Sequence, residues 1–191
     1  MNILWDFDGT LFNTYPAFTA IFQSMLGAEH AEQDILSHLK RSFSHAVKHY
    51  GMSDQQVRAM FAKEDRLHPS QTPPFPHVED ILKFAETNVI MTHNSRKHVL
   101  NTLRHYGWET YFQDMVCRED GFPRKPDPAS YRYLHRKHRI DLVIGDREID
   151  IVPAKSLGIR TCLFQNDAPG ADFYLHTYMD FFKSVKTDFA G

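Results

Sequence analysis

The chain has 191 residues, enough for one domain with a full core and room for an inserted subdomain. Its 22 basic and 24 acidic residues nearly balance, so composition marks it for neither nucleic acid nor an anionic membrane surface. Two well-separated cysteines in apolar surroundings, Cys117 and Cys162, read as reduced core residues rather than a disulfide framework. No apolar run approaches a membrane span, and no basic N-terminal region precedes a long apolar stretch. These features lead us to expect a soluble, cytoplasmic protein.

The first predicted element is a strand over Asn2 to Trp5, apolar after its first residue. It runs into Asp6-Phe7-Asp8-Gly9-Thr10. Side chains alternate along an extended chain, so Asp6 and Asp8 can share one side just past the strand end, and Gly9 lets the backbone turn away. Carboxylates at the carboxyl end of a core strand stand where open α/β sheets hold ligands, and a bound cation relieves their repulsion. The same tetrapeptide is also compatible with an ordinary polar turn.

Three predicted helices follow. Tyr15 to Leu26 carries Phe18, Ile21, Phe22, Met25 and Leu26 at spacings of three and four. Glu29 to Tyr50 carries Ile35, Leu36, Leu39, Phe43, Ala46 and Val47. Asp54 to about Leu67 begins after a plausible N-cap, Ser53. The proline-rich stretch Pro69 to Pro76 is neither helix nor central strand and reads as a linker. Beyond it, strands alternate with helices. Helix is expected over His77 to Glu86, strand over Asn88 to Met91, helix over Ser95 to Tyr106 and strand around Met115 to Cys117. A loop from Gly121 to Pro128 leads to a helix over Ala129 to Lys137, a strand over Asp141 to Ile144, a helix over Glu148 to Leu157 and a strand over Ile159 to Phe164. Ala171 to Val185 reads as a last helix, with Phe173, Tyr174, Tyr178, Phe181 and Phe182 as its packing face. This alternation predicts an α/β fold, a Rossmann-like parallel sheet with helices on both faces, and a small α-helical cap inserted after the first strand. The expected boundaries are 1–14 and 75–191 for the core and 15–74 for the cap.

Other strand ends carry further polar groups. Thr92-His93-Asn94-Ser95 follows the second strand, where a hydroxyl and helix-entry amides suit an oxyanion; Thr92 or Ser95 equally suits a simple helix cap. Lys125 lies in a loop stiffened by Pro123, Pro126 and Pro128, which aims its ammonium in advance. Asp146 ends the strand after Gly145, and Asp150 follows one helical turn later, so both can face one point; Asp146 alone also suits an N-cap.

Taken in order, Asp6, Asp8 and Thr10, then Thr92, then Lys125 in Lys-Pro-Asp-Pro, then Gly145, Asp146 and Asp150 resemble the motifs of the haloacid dehalogenase superfamily, most of whose members are phosphatases. The resemblance spans nearly the whole chain, including the helical insert found in the phosphoglycolate-phosphatase-like branch. Trp5 and Asn13 depart from the residues most common at their positions, and neither position carries the chemistry.

The resemblance implies a Mg²⁺-dependent phosphatase acting on a small phosphorylated metabolite through an aspartyl-phosphate. Asp6 would be the nucleophile, Asp8 the general acid and base, and Lys125 the residue holding both the phosphoryl group and Asp6. Thr92, His93 and Asn94 would line the phosphoryl site. Asp6, Asp146 and the Asp8 backbone carbonyl would ligate the metal, with Asp150 a further ligand or an anchor for bound water. Slow phosphate-ester hydrolysis, which enzymes accelerate by up to about 10²¹-fold, independently favours a covalent step with a metal to neutralise charge.

In the insert, Lys40, Arg41, Ser42, Ser44, His45, Lys48 and His49 make a basic stretch, read either as contact with an anionic substrate or as a solvated face. His45 and His49, four apart, lack an evident third metal ligand in the sequence and read as an exposed pair. The alternatives to a phosphatase are a β-phosphoglucomutase-like phosphomutase and a weakly catalytic binding module. No nucleic-acid or membrane partner is expected, and the protein would be a monomer or homodimer.

Overall fold

The computed structural model describes residues 1–189. Its centre is β1 (Asn2–Trp5), whose Ile3, Leu4 and Trp5 are all fully buried. The sheet has six parallel strands in the order β3-β2-β1-β4-β5-β6, with β2 at Thr87–Met91, β3 at Phe112–Val116, β4 at Leu142–Gly145, β5 at Arg160–Phe164 and β6 at Phe173–Leu175. In register, Trp5 stands opposite Ile90 on one side and Ile144 on the other.

Strand alternation sorts these side chains into two cores. Ile3, Trp5, Ile90, Ile144 and Phe164 join α5 (Val78–Phe84) and α6 (Arg96–His105) on one face. Leu4, Val89, Met91 and Val143 join α7 (Ala129–His138) and α8 (Glu148–Ser156) on the other. An all-parallel sheet buried on both faces explains why its strands read as nearly continuous apolar runs. Trp5 keeps its indole N–H satisfied by donating to Asn88 Oδ1 at 2.8 Å, which permits so large a side chain at the centre.

The chain forms two compact units: Met1–Phe12 with the chain from Pro74 onward, and Asn13–Pro73. The second is purely helical, with α1 (Tyr15–Leu26), α2 (Glu32–Arg41), α3 (Phe43–His49) and α4 (Asp54–Glu64) around a core of its own that includes Phe22, Ile35, Leu39, Ala46 and Met60. Ser53 caps α4 in a full capping box with Gln56.

Two predicted elements are corrected. The helix expected over Glu29 to Tyr50 is two helices, because Ser42 adopts an extended backbone (φ −175°, ψ 156°) and its hydroxyl accepts the His45 N–H at 3.0 Å to start α3. The helix expected over Ala171 to Val185 is the edge strand β6, a 3₁₀ turn over Tyr178–Asp180 and the single turn α9 (Phe181–Ser184). Tyr178 and Phe181 are buried as expected, whereas Tyr174 and Phe182 are exposed. Pro69–Gln71, in the stretch read as a linker, makes one 3₁₀ turn. Among the described residues no helix is long and apolar enough to cross a membrane. Cys117 and Cys162 are free and buried.

Candidate active site

The strand order reverses direction at β1: the chain steps outward through β2 and β3, then returns to β4 on the other side of β1. Ligands of open α/β sheets bind at such a switch point, beyond the carboxyl ends of the strands. Asp6 follows β1 directly, and its N–H still pairs with Ile144 O at 2.9 Å, so its position is set by the sheet itself. The chain then turns sharply. Leu11 and Phe12 N–H both donate to Phe7 O, Gly9 N–H donates to Phe12 O, and Gly9 sits at φ 74°, a conformation that favours glycine. Asp146 follows β4, and the Asn166 amide, just past β5, donates to its backbone carbonyl at 2.7 Å.

Asp6, Asp146 and Asp150 are all buried, and each offers a carboxylate oxygen within 4.8 Å of the others. Two cations stand among them. Lys125 Nζ contacts Asp6 Oδ1 at 2.5 Å and Asp150 Oδ1 at 2.8 Å. Arg147, which the sequence reading passed over, places Nη2 at 3.3 Å from Asp6 Oδ2 and Nε at 3.5 Å from Asp146 Oδ1 and 3.4 Å from Asp150 Oδ2. A signal was available in Gly-Asp-Arg-Glu-Ile-Asp, since converging carboxylates need more positive charge than one lysine supplies. Gly145 makes the convergence possible: a Cβ there would overlap the Asp150 side chain.

The two carboxylates nearest Lys125 respond in opposite directions. Burial, followed by the Asp150 charge, pushes the Asp6 carboxyl above its ordinary range, against the pull of Lys125 and Arg147. For Asp150, burial also works upward, but Lys125 and Arg147 outweigh it and hold the group below that range. Burial works against the Lys125 ammonium, yet Asp150 and Asp6 raise its pKa and keep it charged. Lys125 also lies 6.0 Å from the centre of the Tyr131 ring.

The loop bearing Lys125 is pinned from the second strand end. His93 Nε2 accepts the Lys125 backbone N–H at 3.0 Å, and burial together with the nearby Lys125 and Arg124 charges lowers the imidazole pKa to about 3. His93 is therefore neutral at pH 7, with its proton on Nδ1. Asn94 Nδ2 lies 3.0 Å from both oxygens of Asp8, fixing that carboxylate. Thr92 Oγ1 accepts the Asn94 N–H at 3.1 Å, and Ser95 caps α6 by accepting the His98 N–H. Thr92, Asn94 and Lys125 are buried, while Asp8 and His93 are half-buried. Asp8 is not among the three carboxylates that converge; its side chain belongs with Asn94. Thr10 is buried, and its carbonyl accepts the Tyr178 hydroxyl.

The model of the haloacid dehalogenase-like hydrolases matches residues 3–164. The chain belongs to this family. Its relatives include proteins named as phosphoglycolate phosphatases and pyrophosphatases. Phosphoglycolate phosphatase 1 of Pseudomonas aeruginosa is 25% identical over 83% of this chain, which spans 66% of that protein's length, slightly under two thirds. Pyrophosphatase PpaX of Halalkalibacterium halodurans is 22% identical over 90% of this chain and 86% of its own length. A putative phosphoglycolate phosphatase from Lactobacillus plantarum has the same fold, with a TM-score of 0.81 at 19% identity over 95% of this hydrolase and 97% of that chain.

Proposed function

We propose that this hydrolase is a Mg²⁺-dependent phosphatase of a small phosphorylated metabolite, working through an aspartyl-phosphate on Asp6. The coarser part, a hydrolase of phosphoric monoesters, rests on the family and on relatives named as phosphatases. The observation that carries the rest is one buried ammonium, Lys125, bound at once to Asp6 and Asp150 at the switch point of the sheet.

The donor set fits a hard divalent cation, being all oxygen, buried and rich in carboxylates. In this reading Asp6, Asp146 and the Asp8 backbone carbonyl hold Mg²⁺. Asp150, whose Oδ1 receives Lys125 and whose Oδ2 receives the Arg147 N–H at 3.1 Å, serves as the buttress that aims both cations. The ion supplies charge neutralisation to the phosphoryl oxygens.

Asp6 then attacks phosphorus as the alcohol leaves. Lys125 holds Asp6 in line and, with the Thr92 hydroxyl and the amides entering α6, receives the transferred group. Asn94 orients Asp8, which gives its proton to the departing alcohol and recovers one from the water that cleaves the aspartyl-phosphate. His93 contributes by fixing the backbone of Lys125 rather than by touching substrate. Holding reacting groups in place is worth about 7–11 kcal/mol, which is why so many of these polar groups are buried and mutually bonded. In this reading the helical unit is the inserted cap and the unit that bears the sheet is the catalytic core.

The test is inorganic phosphate release across sugar phosphates, nucleotides, pyrophosphate and phosphoglycolate, with Mg²⁺ and with excess chelator. Release from at least one phosphomonoester, stopped by chelator and restored by Mg²⁺, is expected. Full activity in chelator removes the metal from the reading; no release from any substrate removes the phosphatase.

A further inference from the structure

Four histidines of the helical unit, His30, His38, His45 and His49, lie close in sequence to Asp34 and Tyr50, and nothing in the phosphatase chemistry uses them. Asp34 and His38 are one turn apart on α2, and His45 and His49 are one turn apart on α3. The Ser42 corner brings the pairs together. The His38 ring stacks on His49 with centroids 3.6 Å apart and planes at 22°, and His38 Nδ1 lies 3.0 Å from His45 Nε2. An ion lies in the plane of an imidazole that binds it, so ligation by both rings requires the exposed His49 ring to turn out of this stack. Asp34, His38 and His49 each offer a donor atom, all within 4.8 Å of one another.

Two features distinguish this cluster from a chance ladder of surface imidazoles. His38 Nε2 lies 3.6 Å from Asp34 Oδ1, too long for a hydrogen bond. It is close to the separation of about 3.3–3.4 Å between ligands on a tetrahedral ion with bonds of about 2.0–2.1 Å. The atoms on the far side of each group are already engaged. His38 Nδ1 pairs with His45, and the Tyr50 hydroxyl donates to Asp34 Oδ2 at 2.7 Å. Ligating histidines and carboxylates are characteristically oriented through their second heteroatom in this way. Asp34 and His49 are exposed and His38 is half-buried, so an ion has access and a water can complete the coordination.

We propose that Asp34, His38 and His49 form a transition-metal site for an ion such as Zn²⁺, with His45 and Tyr50 orienting two of its ligands. Mixed imidazole and carboxylate donors favour Zn²⁺, Ni²⁺ or Co²⁺ over Mg²⁺, so this site and the all-carboxylate one take different ions. In this site the third donor is Asp34, fifteen positions before His49, and His45 stands behind His38.

The experiment titrates full-length, metal-stripped protein with Zn²⁺ by calorimetry in saturating Mg²⁺, and with Co²⁺ by visible spectroscopy. One Zn²⁺ should bind, and Co²⁺ should give the intense bands of tetrahedral coordination. His38→Gln and His49→Gln should each weaken Zn²⁺ by more than the about 10–100-fold that loss of an orienting neighbour costs, and His45→Gln should fall within that range. Asp146→Asn should leave this binding unchanged. His49 is exposed, so its variant is the one least able to disturb the fold, and circular dichroism checks both. Absence of Zn²⁺ binding in Mg²⁺, unchanged affinity in folded His49→Gln, or loss of binding in Asp146→Asn alone would overturn the site.

Discussion

Asp6 and Asp150 share one lysine but are not equivalent, and the difference has a sign that can be measured. The Asp6 carboxyl is pushed upward by burial, so ionising it costs the folded state something that the unfolded chain does not lose. That cost is absent below about pH 4, where Asp6 is neutral in both states, and grows as pH rises through the folded pKa. Asp150 is held low, so its ionised form stabilises the fold at neutral pH, and that contribution disappears as pH falls below about 4. In metal-free protein at pH 7, Asp6→Asn is therefore expected to raise Tm by about 2–4 °C, the shift that about 1 kcal/mol gives at this size. Asp150→Asn removes the low-pKa carboxylate that contacts both Lys125 and Arg147 and is expected to cost about 3–5 kcal/mol. Thermal and urea melts of the two variants check the contrast. Equal destabilisation by both would mean that the Lys125–Asp6 contact anchors the site as much as the Asp150 contact does.

At the scale of elements, β4 shows how one position couples strand to site. Gly145 lies where α8 turns its first carboxylates back toward the strand end, and an added methyl there meets Asp150. Gly145→Ala is expected to destabilise by about 1–3 kcal/mol, the usual cost of overpacking. It should also lower turnover by about 100-fold, the loss that follows a misplacement of about 1 Å. A melt and a kcat measurement on one preparation check both, and unchanged turnover would detach Asp150 from the mechanism. Much of this was legible in the sequence. The apolar strands, the polar groups at their ends and the proline-stiffened Lys125 loop are local signals, and the structure brings Asp6, Asp146, Asp150 and Lys125 to one point. What the sequence concealed depends on distant or ambiguous partners. Ser42 sits within a continuing apolar stripe, and only its extended backbone shows that it starts a new helix. The strand β6 is three residues long and exists through its register with β5, while its aromatics fit a helical spacing equally well. Arg147 is marked only by its place between Asp146 and Asp150; its meaning appears when the carboxylates of Asp6, Asp146 and Asp150 are seen around it.

The whole molecule divides its labour between a sheet that fixes charge and a helical unit with its own core. Three strand ends contribute one part each: Asp6 from β1, the Thr92–Asn94 turn from β2, and Asp146 from β4. The Lys125 loop, between β3 and α7, ties the first of these to Asp150 on α8. Such an assembly is costly to keep buried, because taking each of its charges out of water carries a desolvation penalty. Whether Asp6 forms a bond to phosphorus is the claim on which the rest depends. The most direct test is acid quenching of the enzyme with Mg²⁺ and an activated aryl phosphate in the pre-steady state, followed by mass spectrometry of the intact protein and its N-terminal peptide. One phosphoryl group on the peptide containing Asp6, absent in Asp6→Asn, is the predicted result. Steady turnover with no phosphoryl adduct at any quench time, or phosphate release by folded Asp6→Asn at the wild-type rate, would contradict it.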